Sequence, residues 1–270
     1  MPDFAEQPVS RILLAADVGN TRAKFALLKA SQRQQLPETL STFLWKYDVP
    51  FARADLQAFA SSHGAAELEC FLSGSHLGHI EEIVEFWPKE LPEPRVIRSS
   101  TELPIELLVD YPDKVGVDRV LNAIATRFEQ PGVSAIIIDT GTATTVDVVS
   151  SSGAFLGGAI LPGYELSAHA LHDYTNKLPL IPLQEILGEV PAVVGKNTHA
   201  ALRSGLIWGQ VGAVNEVVTR IQQELAQTEA IRPTIYLTGG AADLLQAHLN
   251  FKTIARPQLT LQGLACVAER

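Results

Sequence analysis

The chain has 270 residues, 46% of them hydrophobic and 19% charged, enough for one large domain or two smaller ones with real cores. A formal net charge of −9 without any Lys/Arg cluster disfavours nucleic acid and anionic lipid surfaces as partners. No apolar run has the length of a signal peptide or a membrane span, and the two distant cysteines, Cys70 and Cys266, form neither a disulfide framework nor a zinc motif, so a cytoplasmic protein with two small buried thiols is expected.

The first apolar run, Ile12 to Ala16, predicts a buried strand that ends in Asp17-Val18-Gly19-Asn20-Thr21, and Phe25 to Leu28 predicts a second strand after the turn. From Leu36 to Glu93 the signal is weaker. Asp55 to Ala60 and Ile80 to Trp87 look helical, and Glu69 to Leu72 looks like a short strand leading to Ser73-Gly74-Ser75. After Gly116, the apolar residues Val117, Val120, Leu121, Ile124, Ala125 and Phe128 share one helical face, with Asp118 and Arg119 in the first turn. Glu129-Gln130-Pro131-Gly132 is a stop signal, and a domain boundary is expected there, dividing residues 1–130 from 131–270.

Just beyond the boundary the opening pattern recurs. Ala135 to Ile138 runs into Asp139-Thr140-Gly141-Thr142-Ala143, and Val146 to Val149 follows as the second strand. Gly157 to Gly163 suggests a close-packed strand and a turn, through packing or through ligand approach. A helix is expected over Leu202 to Leu225, broken or kinked near Gly205, Gly209 and Gly212. Thr234 to Leu237 reads as a strand entering Thr238-Gly239-Gly240, Leu244 to Leu249 as helix, and Gly263 to Ala268 as a closing helix.

Each copy of the strand, carboxylate and glycine pattern has the same chemistry. A glycine turn exposing N–H groups beside Asn or Thr suits phosphate oxygens, and a strand-end Asp suits a hydrated magnesium ion. One copy alone would read as a hairpin turn, but two copies in matching contexts point to a nucleotide phosphate site. Asp118 could accept a proton from an attacking hydroxyl and Arg119 could grip a carboxylate, or the pair could serve the helix dipole and the solvent face. Thr238-Gly239-Gly240 suits a base or ribose against bare backbone, or is an ordinary turn in which Asp243 helps the helix start. Lys196-Asn197-Thr198 could orient a polar ligand or simply cap a helix. His76 with His79 and His169 with His172 lack a third ligand at motif spacing, so surface or packing roles are expected.

Asp17-Val18-Gly19-Asn20-Thr21, Gly116-Val117-Asp118-Arg119, Asp139 to Thr145, Gly157-Gly158 with Pro162-Gly163, and Thr238-Gly239-Gly240 occur in the order seen in type III pantothenate kinases, and the chain resembles that family along nearly its whole length. The Gly-x-Asp-Arg element separates the family from other members of the actin-like, heat-shock-chaperone and sugar-kinase superfamily. The resemblance implies an α/β fold of two ribonuclease-H-like domains with ATP in the cleft between them. It also implies a homodimer with pantothenate near the dimer interface, and transfer of the γ-phosphoryl of ATP to give 4′-phosphopantothenate, the first step of coenzyme A synthesis.

By that resemblance Asp17 would organise magnesium, with Val18, Gly19, Asn20, Thr21, Arg22, Ala23 and Lys24 along the phosphates and Thr142, Gly239 and Gly240 on ATP. Asp139 would help bind potassium or ammonium. Asp118 would be the general base, with Gly116, Val117, Arg119 and Thr198 on the substrate. Family members often carry a substrate-side Tyr where this chain has Val109, and Tyr111 lies two residues away. An alternative of a different class is a nucleotide-binding accessory factor of the same fold without kinase activity.

Overall fold

A computed structural model describes residues 11–29, 35–63 and 68–268. The chain divides into two units.

Unit 1 begins with β1 (Ile12–Val18), β2 (Arg22–Lys29) and β3 (Glu38–Lys46), an antiparallel meander, followed by α1 (Arg53–Ser61), β4 (Leu68–Gly74), α2 (Leu77–Glu85), β5 (Arg95–Ile97) and α3 (Val117–Glu129). The sheet order is β3-β2-β1-β4-β5, with β4 parallel to β1 and β5 parallel to β4. Period-two alternation sends Leu14, Ala16 and Val18 of β1 to one face, where they join Leu56 and Ala60 of α1 and Ile80 and Ile83 of α2 in one core. Leu13 and Ala15 alternate to the other face and are equally buried. Asp17 belongs to that second face. β3 is a strand that sequence pattern did not single out; its mixed burial is that of an edge strand.

Unit 2 repeats the plan with β6 (Ala135–Thr140), β7 (Ala143–Val149), β8 (Phe155–Pro162), α4 (Tyr164–Asp173), α5 (Leu183–Ile186), α6 (Thr198–Leu225), β9 (Thr234–Gly239), α7 (Ala242–Gln246) and β10 (Ile254–Ala255). Its order, β10-β9-β6-β7-β8, is the order of the first sheet strand for strand, with β6 in the place of β1 and β9 in the place of β4. The last helix, α8 (Leu259–Ala268), returns to unit 1 from Thr260 onward, and residues Ile105–Pro112 go to unit 2. The main handover between the two units lies at Glu129/Gln130. Gly263 lets α8 lie against the Leu121 backbone of α3, since a Cβ there would sit 2.0 Å from the Leu121 carbonyl oxygen.

Two expected helix details differ. α6 runs unbroken for 28 residues through Gly205, Gly209 and Gly212. Each interior glycine costs about 1 kcal/mol against alanine, but Leu206, Ile207, Val211, Val214 and Val218 between and beyond them are buried and hold the helix. The helix expected over 244–249 instead ends at Gln246, where Asn215 of α6 takes over the chain: its amide oxygen accepts the Asn250 N–H at 2.9 Å.

Candidate active site

At the carboxyl end of β1, Asp17 stands half-exposed, directly opposite Lys24 of β2 and in register with Ser73 of β4. The turn that follows is braced one peptide at a time. The Val18 carbonyl accepts the N–H groups of Ser75 and His76 at 3.1 and 3.2 Å, and the Gly19 N–H donates to the Arg22 carbonyl at 3.0 Å. The Gly19 carbonyl accepts the Tyr47 hydroxyl at 2.7 Å. Asn20, Thr21 and Arg22 are exposed, whereas the Val18 and Ala23 side chains are fully buried in the core. Any ligand contact by Val18 or Ala23 is thus through backbone.

Asp118 lies in the first turn of α3, and its Oδ1 accepts the Arg119 N–H at 2.9 Å. Burial pushes its carboxyl above the ordinary range, and the Arg119 N–H and guanidinium pull back only part of the way. Gly116 explains how the carboxylate reaches this position: a Cβ at 116 would lie 2.5 Å from Asp118 Oδ1. The Val117 side chain is buried, so it anchors the helix.

In unit 2, Asp139 stands in register with Thr145 of β7 and Thr238 of β9. The Thr140 hydroxyl donates to the Thr238 carbonyl at 3.0 Å and accepts the Ala241 N–H at 3.2 Å, which locks the Gly239-Gly240 turn onto the end of β6. Thr142 is exposed, and its carbonyl accepts the Gly163 N–H at 3.0 Å. The duplication extends beyond the carboxylate turns. Val18 pairs with Gly74 as Thr140 pairs with Gly239, both glycines have positive φ (152° and 96°), and a Cβ on either would strike the backbone of its partner strand.

Thr198 is the first residue of α6 and is exposed; Asn197 is the cap, its side chain accepting the Ala200 N–H at 2.8 Å. Val109 lies against Gly157, and Tyr111 is 71% exposed. His172 bonds the Leu178 carbonyl and His169 pairs with Asp173. His76 and His79 were expected in surface or packing roles, and they cluster half-buried beside the β1–β2 turn, 4.2 Å apart, with Tyr47 stacked on His79. Tyr47 had no sequence signal. Its phenol is pushed up by burial and by the Asp17 and Glu82 carboxylates, so it stays a donor. Both cysteines are buried, and neither is in a disulfide.

A divalent cation arriving with nucleotide phosphates needs only one or two protein carboxylates. Asp17 fits that demand, and beside it the fully buried Ser73 hydroxyl has no hydrogen-bond partner among the described residues. Among the described residues no group of three or more His, Cys, Asp or Glu side chains could hold a metal unaided. None of the described helices is long and apolar enough to cross a membrane.

Two units of this topology, each with a strand-end carboxylate and a glycine turn, define the actin-like ATPase and sugar kinase fold. A ROK family transcriptional regulator, homologous to the E. coli MLC protein, superposes with a TM-score of 0.51 at 10% identity, covering 97% of this chain and 78% of that one. A protein proposed to be a 2-dehydro-3-deoxygalactonokinase, from Sinorhizobium meliloti, does so with a TM-score of 0.51 at 12% identity, covering 95% and 98%. The sequence goes further than the fold. The type III pantothenate kinase model matches residues 13–220. Type III pantothenate kinases from Dehalococcoides mccartyi (strain CBDB1) and Anaeromyxobacter dehalogenans (strain 2CP-C) are 34% and 33% identical, covering 96% of this chain and 96% and 99% of their own lengths. The chain belongs to the type III pantothenate kinase family.

Proposed function

We propose that this chain transfers the γ-phosphoryl group of ATP to the primary hydroxyl of pantothenate, giving 4′-phosphopantothenate, the first step of coenzyme A synthesis in the cytoplasm. The observation that carries the reading is the Asp118 carboxylate, desolvated and folded back over Gly116 in the Gly-x-Asp-Arg element. A purely binding protein of this fold has no use for a positioned base, which favours catalysis over an accessory regulator.

Phosphoryl transfer asks the protein for in-line positioning and charge neutralisation more than for covalent help. Asp118 takes the proton of the attacking hydroxyl onto a carboxylate oxygen, and the Arg119 guanidinium holds the substrate carboxylate. The Asp17 to Lys24 turn offers backbone N–H groups and the exposed Asn20 and Thr21 side chains to the phosphates, and Lys24 stands across from Asp17. Asp17 would hold the magnesium ion, which supplies charge neutralisation on the phosphates when bound. Asp139 has its Oδ1 within 3.9 Å of a Cβ built on Gly141, so the carboxylate is turned over the Gly141 turn. From there it would offer one hard oxygen ligand to potassium or ammonium. Thr142, Gly239 and Gly240 would line ATP, Gly116 and Val117 would shape the pantothenate side from their backbone, and Thr198 would contact pantothenate in a homodimer.

The test is ATP-dependent phosphorylation of pantothenate by the purified protein with magnesium, run with potassium, with ammonium and with sodium alone. Turnover with potassium or ammonium and little with sodium is expected. Turnover indifferent to the monovalent ion would remove Asp139 from that role, and no turnover in folded protein would overturn the kinase reading.

A further inference from the structure

We infer that Tyr47, seated by its stack on His79, is a positioning residue that sets the orientation of the phosphate-binding turn through the Gly19 carbonyl. The inference rests on the kinase reading for its substrate and on unit 1 alone for its geometry.

Tyr47 lies just beyond β3, 28 residues from the glycine that it reaches, and donates its hydroxyl to the Gly19 carbonyl at 2.7 Å. The ring is fixed on two sides. It stacks on His79 with centroids 3.6 Å apart and planes 24° from parallel, and meets the buried Trp45 edge-on at 4.9 Å. His79 is itself held, its Nδ1 3.0 Å from Glu82 Oε2 and its backbone N–H donating to His76 Nδ1 at 3.1 Å. His76 closes the circuit, because its own N–H and that of Ser75 donate to the Val18 carbonyl.

These contacts act on two consecutive peptide planes. The Val18–Gly19 plane is held at both ends, by Ser75 and His76 at its carbonyl and by Arg22 at its N–H. In the next plane, Tyr47 holds the Gly19 carbonyl. A trans peptide points its carbonyl and the following N–H in opposite directions, so fixing that carbonyl toward Tyr47 turns the Asn20 N–H away from it. Asn20 is an exposed residue of the turn, with its side-chain amide in a long 3.5 Å contact to Ser75 Oγ. Without the hydroxyl the Gly19–Asn20 plane is free to rotate, and glycine at 19 offers little resistance. A preset N–H is worth more to an incoming phosphate than one that has to be ordered on binding.

Tyr47→Phe keeps the ring and its stack and removes only the hydroxyl. Calorimetric affinity for MgATP is expected to weaken about fivefold, the scale of one net hydrogen bond, with KM for ATP rising in step and KM for pantothenate unchanged. His79→Ala, which frees the ring, should reproduce the loss, and His79→Phe, which restores a flat partner, should recover most of it. MgATP affinity in Tyr47→Phe within twofold of the parent, or equal rises in both KM values, would overturn the inference. A His79→Ala protein that binds MgATP like the parent would overturn the part played by the stack. Parent protein that binds MgATP but leaves pantothenate unphosphorylated would defeat the kinase reading alone, since the calorimetric comparison reads Tyr47 without turnover.

Discussion

Asp118→Asn is expected to lower kcat by roughly 10²–10⁴-fold, the range for loss of a positioned acid–base group, while the fold and MgATP binding persist. The amide keeps the shape of the carboxylate and can still accept the Arg119 N–H that Asp118 Oδ1 now takes at 2.9 Å. What it loses is the capacity to receive a proton. The position of Asp118 sharpens the expectation, because burial raises its pKa and makes it a stronger base than an exposed Asp, whose ordinary value is 3.8. In the parent, turnover should therefore fall as acid protonates Asp118, with the acid limb lying above that ordinary value. Stability runs the other way. A carboxyl whose folded pKa is raised disfavours the folded state when ionised, so above its folded pKa Asp118 costs stability that Asn does not. The thermal midpoint of Asp118→Asn should match or exceed that of the parent at neutral pH, and the difference should vanish once the pH is below the unfolded value. Rates across pH and melting curves at neutral and acid pH check both halves; a near-normal kcat would remove Asp118 from the mechanism.

The parts of this architecture that the sequence announces are those whose signal is local. A buried strand, its terminal carboxylate and the glycine after it occupy a few consecutive residues, so Ile12 to Gly19 and Ala135 to Gly141 declare themselves and each other. The amphipathic face of α3 does the same, and it brings Asp118 into the first turn. The second layer of the duplication is harder to read. Gly74 and Gly239 are equivalent only because β4 and β9 run parallel to β1 and β6, and that pairing joins residues far apart in the chain. The relation of Tyr47 and His79 to Gly19 is invisible for the same reason, since it depends on where β3 ends and where α2 begins. In α6 tertiary burial overrules local preference: three glycines argue for a break, and a row of buried Leu, Ile and Val side chains keeps the helix whole.

Gly116→Ala is the second large effect, and it separates the position of Asp118 from its chemistry. A methyl group at 116 would lie 2.5 Å from Asp118 Oδ1, closer than atoms tolerate, and 3.6 Å from its Cγ. The obstacle is the end of a flexible side chain, so the carboxylate yields and the backbone need not. The fold should persist, with a thermal midpoint close to that of the parent, and KM for ATP should hold because the phosphate turn is elsewhere in the chain. The carboxylate, however, is pushed from its place, and a displacement of about 1 Å in a reacting group can cost about 10²-fold in rate. A loss of that order in kcat is expected. The decisive arm is the double variant with Asp118→Asn. If alanine acts only by moving the base, then in the Asn variant it moves an amide that takes no proton, and the two losses will not add. Parent-like kcat in Gly116→Ala, or losses that multiply in the double variant, would show that Gly116 serves the reaction by some route other than making room for Asp118.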